Sequence, residues 1–144
     1  MRVLFDTTFL VEVERGNADA VKLAKRLIEL DAELWISTVT VSEIIVGSNL
    51  RRDRKKAIEK ARQVLGQFDW MSLNADVAFK AGELIAYLIA EGKPVDYPDS
   101  VVAATFLHLN ATYLVSENKR HYADLPQLKS KVHTITETLR QLEK

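Results

Sequence analysis

The sequence predicts a single α/β domain over residues 1–144, built as a short, mostly parallel β-sheet flanked by helices on both faces. Three observations predict it. Short apolar runs alternate with amphipathic stretches along the chain, the pattern of strands joined by crossover helices. No low-complexity linker or internal repeat interrupts them, and the three Pro are scattered singly. The 144 residues are 47% hydrophobic, enough for one real core and too few residues for two independent domains.

Val3 to Phe5 reads as a short buried strand, followed by a helix from about Thr8 to Arg15 that Gly16-Asn17 stops. Asn17 then caps a helix with Val21, Ala24, Leu27 and Ile28 on one face and Lys22, Lys25 and Glu29 on the other. Leu34 to Ser37 is the next strand. Thr40 to Asn49 is rich in β-branched residues yet fits helical spacing, and Thr40 with Glu43 has the form of a capping box, which favours helix. A charged helix is expected over Arg52 to Phe68 and an extended link over Asp69 to Leu73. Asn74 caps a helix whose stripe Val77, Ala81, Leu84, Ile85, Leu88 and Ile89 ends at Gly92. Pro98 to Leu109 is apolar nearly all round, as a helix packed between a sheet and other helices would be. Tyr113 to Ser116 is a strand, and Lys131 to Ile135 with Glu137 to Leu142 supply a last strand and helix. Sheets of this kind place their sites at the carboxyl ends of strands.

Lys plus Arg and Asp plus Glu each number 20, so the molecule as a whole offers a polyanion no general attraction, and any nucleic-acid binding must be local. With no Cys, disulfides, thiolate nucleophiles and thiolate metal sites are excluded. Met1 to Phe5 reaches Asp6 too early for a signal-peptide apolar region, and no later run is long enough to span a bilayer, so a cytoplasmic protein is expected.

The acids carry the chemistry. Asp6 directly follows the first strand, Glu43 lies near the start of the third helix, and Asp96 and Asp99 flank the entry of the Pro98 helix. Each has an ordinary explanation as a cap or a first-turn acid. Collected at one sheet edge, however, such carboxylates repel one another unless a cation neutralises them. All-oxygen ligation without Cys, and without paired His at helical spacing, points to Mg²⁺ or Mn²⁺. The matching chemistry is polarisation of a phosphate and activation of a water.

Four motifs then carry a resemblance to the PIN domain family. Asp6-Thr7-Thr8-Phe9-Leu10 resembles its opening motif, and Ser42-Glu43-Ile44-Ile45-Val46-Gly47 resembles its second. Asp99-Ser100-Val101-Val102-Ala103-Ala104-Thr105 is similar to its third, and Leu114 to Tyr122, with Ser116 ending a strand and Asn118 two residues later, to its fourth. Short stand-alone chains of this kind resemble VapC, the toxins of VapBC pairs. The resemblance implies a metal-dependent endoribonuclease, the toxin of a type II toxin–antitoxin pair, forming a homodimer and blocked by a VapB-like antitoxin. It maps metal ligation onto Asp6, Asp99 and Glu43, with Thr8 as a supporting hydroxyl. Where many members carry a fourth acid this chain has Asn118, which can orient a water or ligate through its carbonyl; Asp96 either supplies the missing charge or serves as a cap.

Of the three His, His108 reads as a core residue, His133 as a strand residue, and His121 as a polar cap on a short helix. The basic run Arg51, Arg52, Arg54, Lys55 and Lys56, with Lys60 and Arg62 beyond it, is either a solvated helix face or an RNA-phosphate contact. Trp35, Trp70 and Tyr97 could stack on bases, although the two Trp lie in strand-like segments and read as core. Two other functions compete with a ribonuclease: a phosphatase with Asp6 as aspartyl nucleophile, where Thr8 stands in place of the usual second acid, and a non-catalytic PIN-fold module.

Overall fold

A computed structural model describes residues 1–144. Its strands are β1 (Arg2–Phe5), β2 (Glu33–Ser37), β3 (Asp69–Met71), β4 (Tyr113–Val115) and β5 (Val132–His133). They form one sheet in the order β3-β2-β1-β4-β5, parallel at every pairing. The helices are α1 (Thr7–Glu14), α2 (Ala18–Glu29), α3 (Thr38–Asn49), α4 (Arg54–Leu65), α5 (Ala75–Ala90), α6 (Tyr97–Leu109) and α7 (Ile135–Leu142). Two 3-10 turns, Lys119–Tyr122 and Lys129–Lys131, connect β4 to β5.

Alternation along β1 splits the interior into two cores. Leu4, with Leu114, packs under α5 and α6 through Val77, Ala81, Leu84, Val101 and Phe106. Val3 and Phe5, with Leu34, Ile36 and Val115, pack on the other side against Phe9, Leu10, Leu23, Leu27, Ile44, Leu65 and Leu139. Burial on both faces is why these strands are apolar throughout. Phe5 pairs with Ile36 and with Val115, so the three strands end level and Asp6, Ser37 and Ser116 come out side by side. The chain builds outward from β1 through β2 to β3, then returns to build β4 and β5 on its other side. The crevice therefore opens between the carboxyl ends of β1 and β4.

Asn17, Asn74 and Asp96 cap their helices as the sequence predicts. Several expectations need correction. The Thr40–Glu43 capping box is absent, because α3 starts earlier, capped by Ser37 through Val39 N–H. Thr40 is instead fully buried and its hydroxyl has no partner. The buried face of α2 is Ala20, Leu23 and Leu27, with Ile28 outside, and Ile89 of α5 is likewise exposed. α4 is shorter at both ends than the expected Arg52 to Phe68, and α1 starts at Thr7. His108 is exposed rather than in the core. Trp70 lies on the edge strand β3, 49% exposed, with its indole N–H donating to Leu65 O, while Trp35 is half-buried beside the α5–α6 core. No helix is long and apolar enough to cross a membrane.

Candidate metal centre

Asp6 is the first residue past β1 and is 5% exposed. It caps α1, accepting Thr8 N–H at 3.0 Å on Oδ1, which also accepts the Thr8 hydroxyl. Its other oxygen accepts the Tyr122 hydroxyl at 3.0 Å. Both oxygens are thus oriented by donors that reach them from opposite sides. Tyr122 is 1% exposed, and burial, followed by the Asp6 charge, holds its phenol well above the usual range, so it remains a neutral donor.

The Thr8 hydroxyl also accepts Glu117 N–H at 2.9 Å and lies 3.4 Å from Ser116 Oγ, which in turn accepts Asn118 N–H at 3.0 Å. These bonds tie the end of β4 to the start of α1. Glu43, exposed in α3, is held by the Thr7 hydroxyl, 2.7 Å from its Oε1. Asp96 caps α6 by accepting Asp99 N–H at 2.9 Å, which fixes Asp99 in the first turn. Asp99 Oδ2 is 3.0 Å from His121 Nδ1, and His121 Nε2 is 2.7 Å from the Asn118 side-chain amide. With its proton on Nδ1, the ring donates to Asp99 and accepts from Asn118, leaving the Asn118 carbonyl free.

The electrostatics join these residues into one neighbourhood. Burial pushes the Asp99 carboxyl up to about 6; His121 pulls it down, and Asp96, Asp6 and Glu43 each push it up further. No three of the acids and imidazoles converge closely enough to chelate one ion as they stand. The donor set nevertheless suits a hard divalent cation: oxygen atoms only, mutually repelling, with one carboxylate partly desolvated. Two cavities flank the acids. One, of about 580 Å³, runs past Thr7, Thr8 and Asn118 to Arg15, Lys119 and Arg120. The other, of about 390 Å³, joins Asp96, Asp99 and His121 to the apolar walls Leu88, Val95 and Leu125.

The structure thus brings Asp6, Glu43, Asp96, Asp99, Ser116, Thr8 and Asn118 to one crevice, and leaves Arg51, Arg52, Arg54 and Lys55 at a separate turn. Sequence reasoning missed Tyr122 and gave His121 only a capping role. The usable signal for Tyr122 was an aromatic hydroxyl close behind the strand-ending Ser116.

Comparison with known proteins places the chain among related sequences and folds. Ribonuclease VapC19 of Mycobacterium tuberculosis is 28% identical over 125 residues, covering 87% of this chain and 95% of that protein. Among solved structures, VapBC2 from Rickettsia felis, bound to a DNA fragment from its promoter, superposes with a TM-score of 0.84 at 19% identity, covering 93% of this chain and 98% of that one. VapBC-1 from nontypeable Haemophilus influenzae gives 0.80 at 20% identity, covering 94% and 99%. The PIN domain model matches residues 3–128, from β1 to just before the second 3-10 turn, and the chain belongs to the PIN domain family.

Proposed function

We propose that the chain is a Mg²⁺- or Mn²⁺-dependent endoribonuclease of the VapC type, the toxin of a type II toxin–antitoxin pair. The observation that carries the proposal is the convergence of Asp6, Glu43, Asp96 and Asp99 on one Coulombic neighbourhood at the β1–β4 crevice. The similarity to a protein named a ribonuclease supports the reaction class. Asp6, Asp99 and Glu43 would hold the ion, with Thr8, Asp96 and Ser116 in support and Asn118 free to orient a water. When bound, the ion supplies positive charge to the phosphodiester and lowers the pKa of the attacking water.

The remaining work falls to the chain itself. Thr8 and Tyr122 fix both oxygens of Asp6, and Asp96 with His121 fixes Asp99. Ligands held this way bind a cation without first losing side-chain freedom. Thr8, standing where an aspartyl-phosphatase would place its second acid, is bonded to Asp6 itself, which disfavours that reading. The two flanking cavities offer room for the substrate strand on either side of the acids.

The partners of this reading are an RNA substrate and a VapB-like antitoxin that blocks the crevice with an Arg or Lys, which the VapBC relatives support. A homodimer and a cytoplasmic location belong to it as well. The exposed Phe79, Tyr87 and Ile89 on α5 offer an apolar face to a second copy. The test is cleavage of total RNA with Mn²⁺, with EDTA, and with Asp6→Asn at matched metal. Cleavage by the parent chain in Mn²⁺ alone is expected. Undiminished cleavage by Asp6→Asn would refute the assignment.

A further inference from the structure

The α3–α4 turn gathers positive charge that the crevice does not use. Asn49, Arg51, Arg52, Asp53, Arg54, Lys55 and Lys56 line a shallow cavity of about 610 Å³ with no hydrophobic residue in its wall. Its single acid is already engaged: Arg51 Nε lies 3.1 Å from Asp53 Oδ1, and Asp53 gives α4 no side-chain cap. Arg52, Arg54, Lys55 and Lys56 are exposed and unpaired. Some bases elsewhere are paired with acids, as in Arg2–Glu33, Arg26–Glu29, Lys80–Glu83 and Lys119–Glu137, and others, such as Lys22 and Lys25, are not; what sets the turn apart is that four unpaired bases within five residues line one cavity.

Packing gives these bases no role. The buried face of α4 is Ala57, Ala61 and Leu65, and Lys60, one turn on, is already spent on Glu14 O at 2.6 Å. Repulsion among these exposed bases is a modest, screened cost that an anion would relieve. Position adds to this. Glu43 lies six residues before the end of α3 at Asn49, about 9 Å at 1.5 Å per residue, and the basic turn begins just past that end. That is the reach of a few nucleotides of extended single strand. Leu50, 82% exposed at the rim, offers an apolar surface beside the charges.

We propose that the α3–α4 turn, through Arg52, Arg54, Lys55 and Lys56, is a subsite for the RNA backbone, holding phosphates a few nucleotides away from the bond cut in the acid crevice. This rests on the ribonuclease reading for its substrate. It makes binding electrostatic, sequence-independent and local, as a chain of zero net charge requires.

The experiment measures binding of a labelled single-stranded RNA of about 20 nucleotides to the full chain in EDTA, by fluorescence anisotropy over a series of KCl concentrations. The variant R52Q/R54Q/K55Q/K56Q keeps good helix formers at every position, and circular dichroism checks its fold. At roughly 0.7 per phosphate contact, the slope of log affinity against log salt should fall by about three, with affinity at low salt at least about tenfold weaker. A control, K22Q/R26Q on α2, should change neither. An unchanged slope in the four-site variant, or an equal loss in the control, overturns the proposal. So does release of a co-purified acidic protein with RNA binding intact, which would make the turn a protein interface. The two readings separate cleanly. Turn-dependent binding without Mn²⁺-dependent cleavage sinks the ribonuclease and keeps the subsite, and cleavage with turn-independent binding does the reverse.

Discussion

At the β1–β4 crevice the chain buries Asp6, half-buries Asp99 and ties each of its acids to a neighbour, whereas at the α3–α4 turn it exposes bases and leaves four of them untied. Asp99 sits where desolvation and repulsion raise the cost of charge, and the crevice geometry is held by specific donors, so small changes have sharp consequences. The bases sit in water, where each contributes a modest, screened term and changes add up gradually. The zero net charge of the sequence hides this separation. On the proposed reading, one region positions the reaction and the other gathers its substrate.

The largest expected effect is in the crevice. Asp6→Asn keeps the size and the Thr8 N–H bond but removes the central negative charge, so metal-dependent RNA cleavage should fall by about 10²–10³-fold or more at an unchanged melting temperature. Tyr122→Phe should come next. It keeps the packing and removes one donor from a buried carboxylate, weakening Mn²⁺ affinity by roughly 10–100-fold and destabilising the fold by about 1–3 kcal/mol. Mn²⁺ titration and thermal melts check both, and an unchanged affinity would show that the phenol only packs.

A pH measurement sharpens the comparison. The Asp99 carboxyl is raised from an ordinary 3.8 to about 6 in the fold, so between those values the folded state holds a proton that the unfolded chain has lost. The stability linked to this proton is complete below about pH 3.8 and is lost as pH rises through about 6. In EDTA, the melting temperature of the parent chain relative to Asp99→Asn should therefore fall from pH 4 to pH 6, and Mn²⁺ at pH 7 should restore it. A flat difference would place Asp99 outside the acid neighbourhood. The smallest effect belongs to the turn: Lys55→Gln alone should weaken RNA binding only a few-fold, and high salt should erase the difference.

Much of the site was legible because its acids sit at element ends. Asp6 after an apolar run, and Asp99 one turn into a Pro-entered helix, could be placed from local pattern alone. The ordinary explanation of Glu43, a capping box begun by Thr40, fails because the helix begins at Thr38 behind its Ser37 cap and Thr40 is buried in its first turn. Tyr122 was missed because its partner lies 116 residues away in sequence, leaving only its hydroxyl's nearness to Ser116 as a signal. His121 was underrated for the same reason: its bond to Asp99 spans two elements that only the sheet brings together. His108 and Trp70 failed the other way, an apolar helix and a strand-like segment each concealing an exposed position.

The central claim is that Asp6, Glu43 and Asp99 form one metal site, and Mn²⁺ binding measured by calorimetry at pH 7 tests it most directly. The account expects saturable binding by the parent chain, strong weakening in Asp6→Asn and in Asp99→Asn, and a smaller loss in Glu43→Gln, whose side chain is exposed and held by Thr7 alone. Equal Mn²⁺ affinity in the parent chain and in both aspartate variants would contradict it.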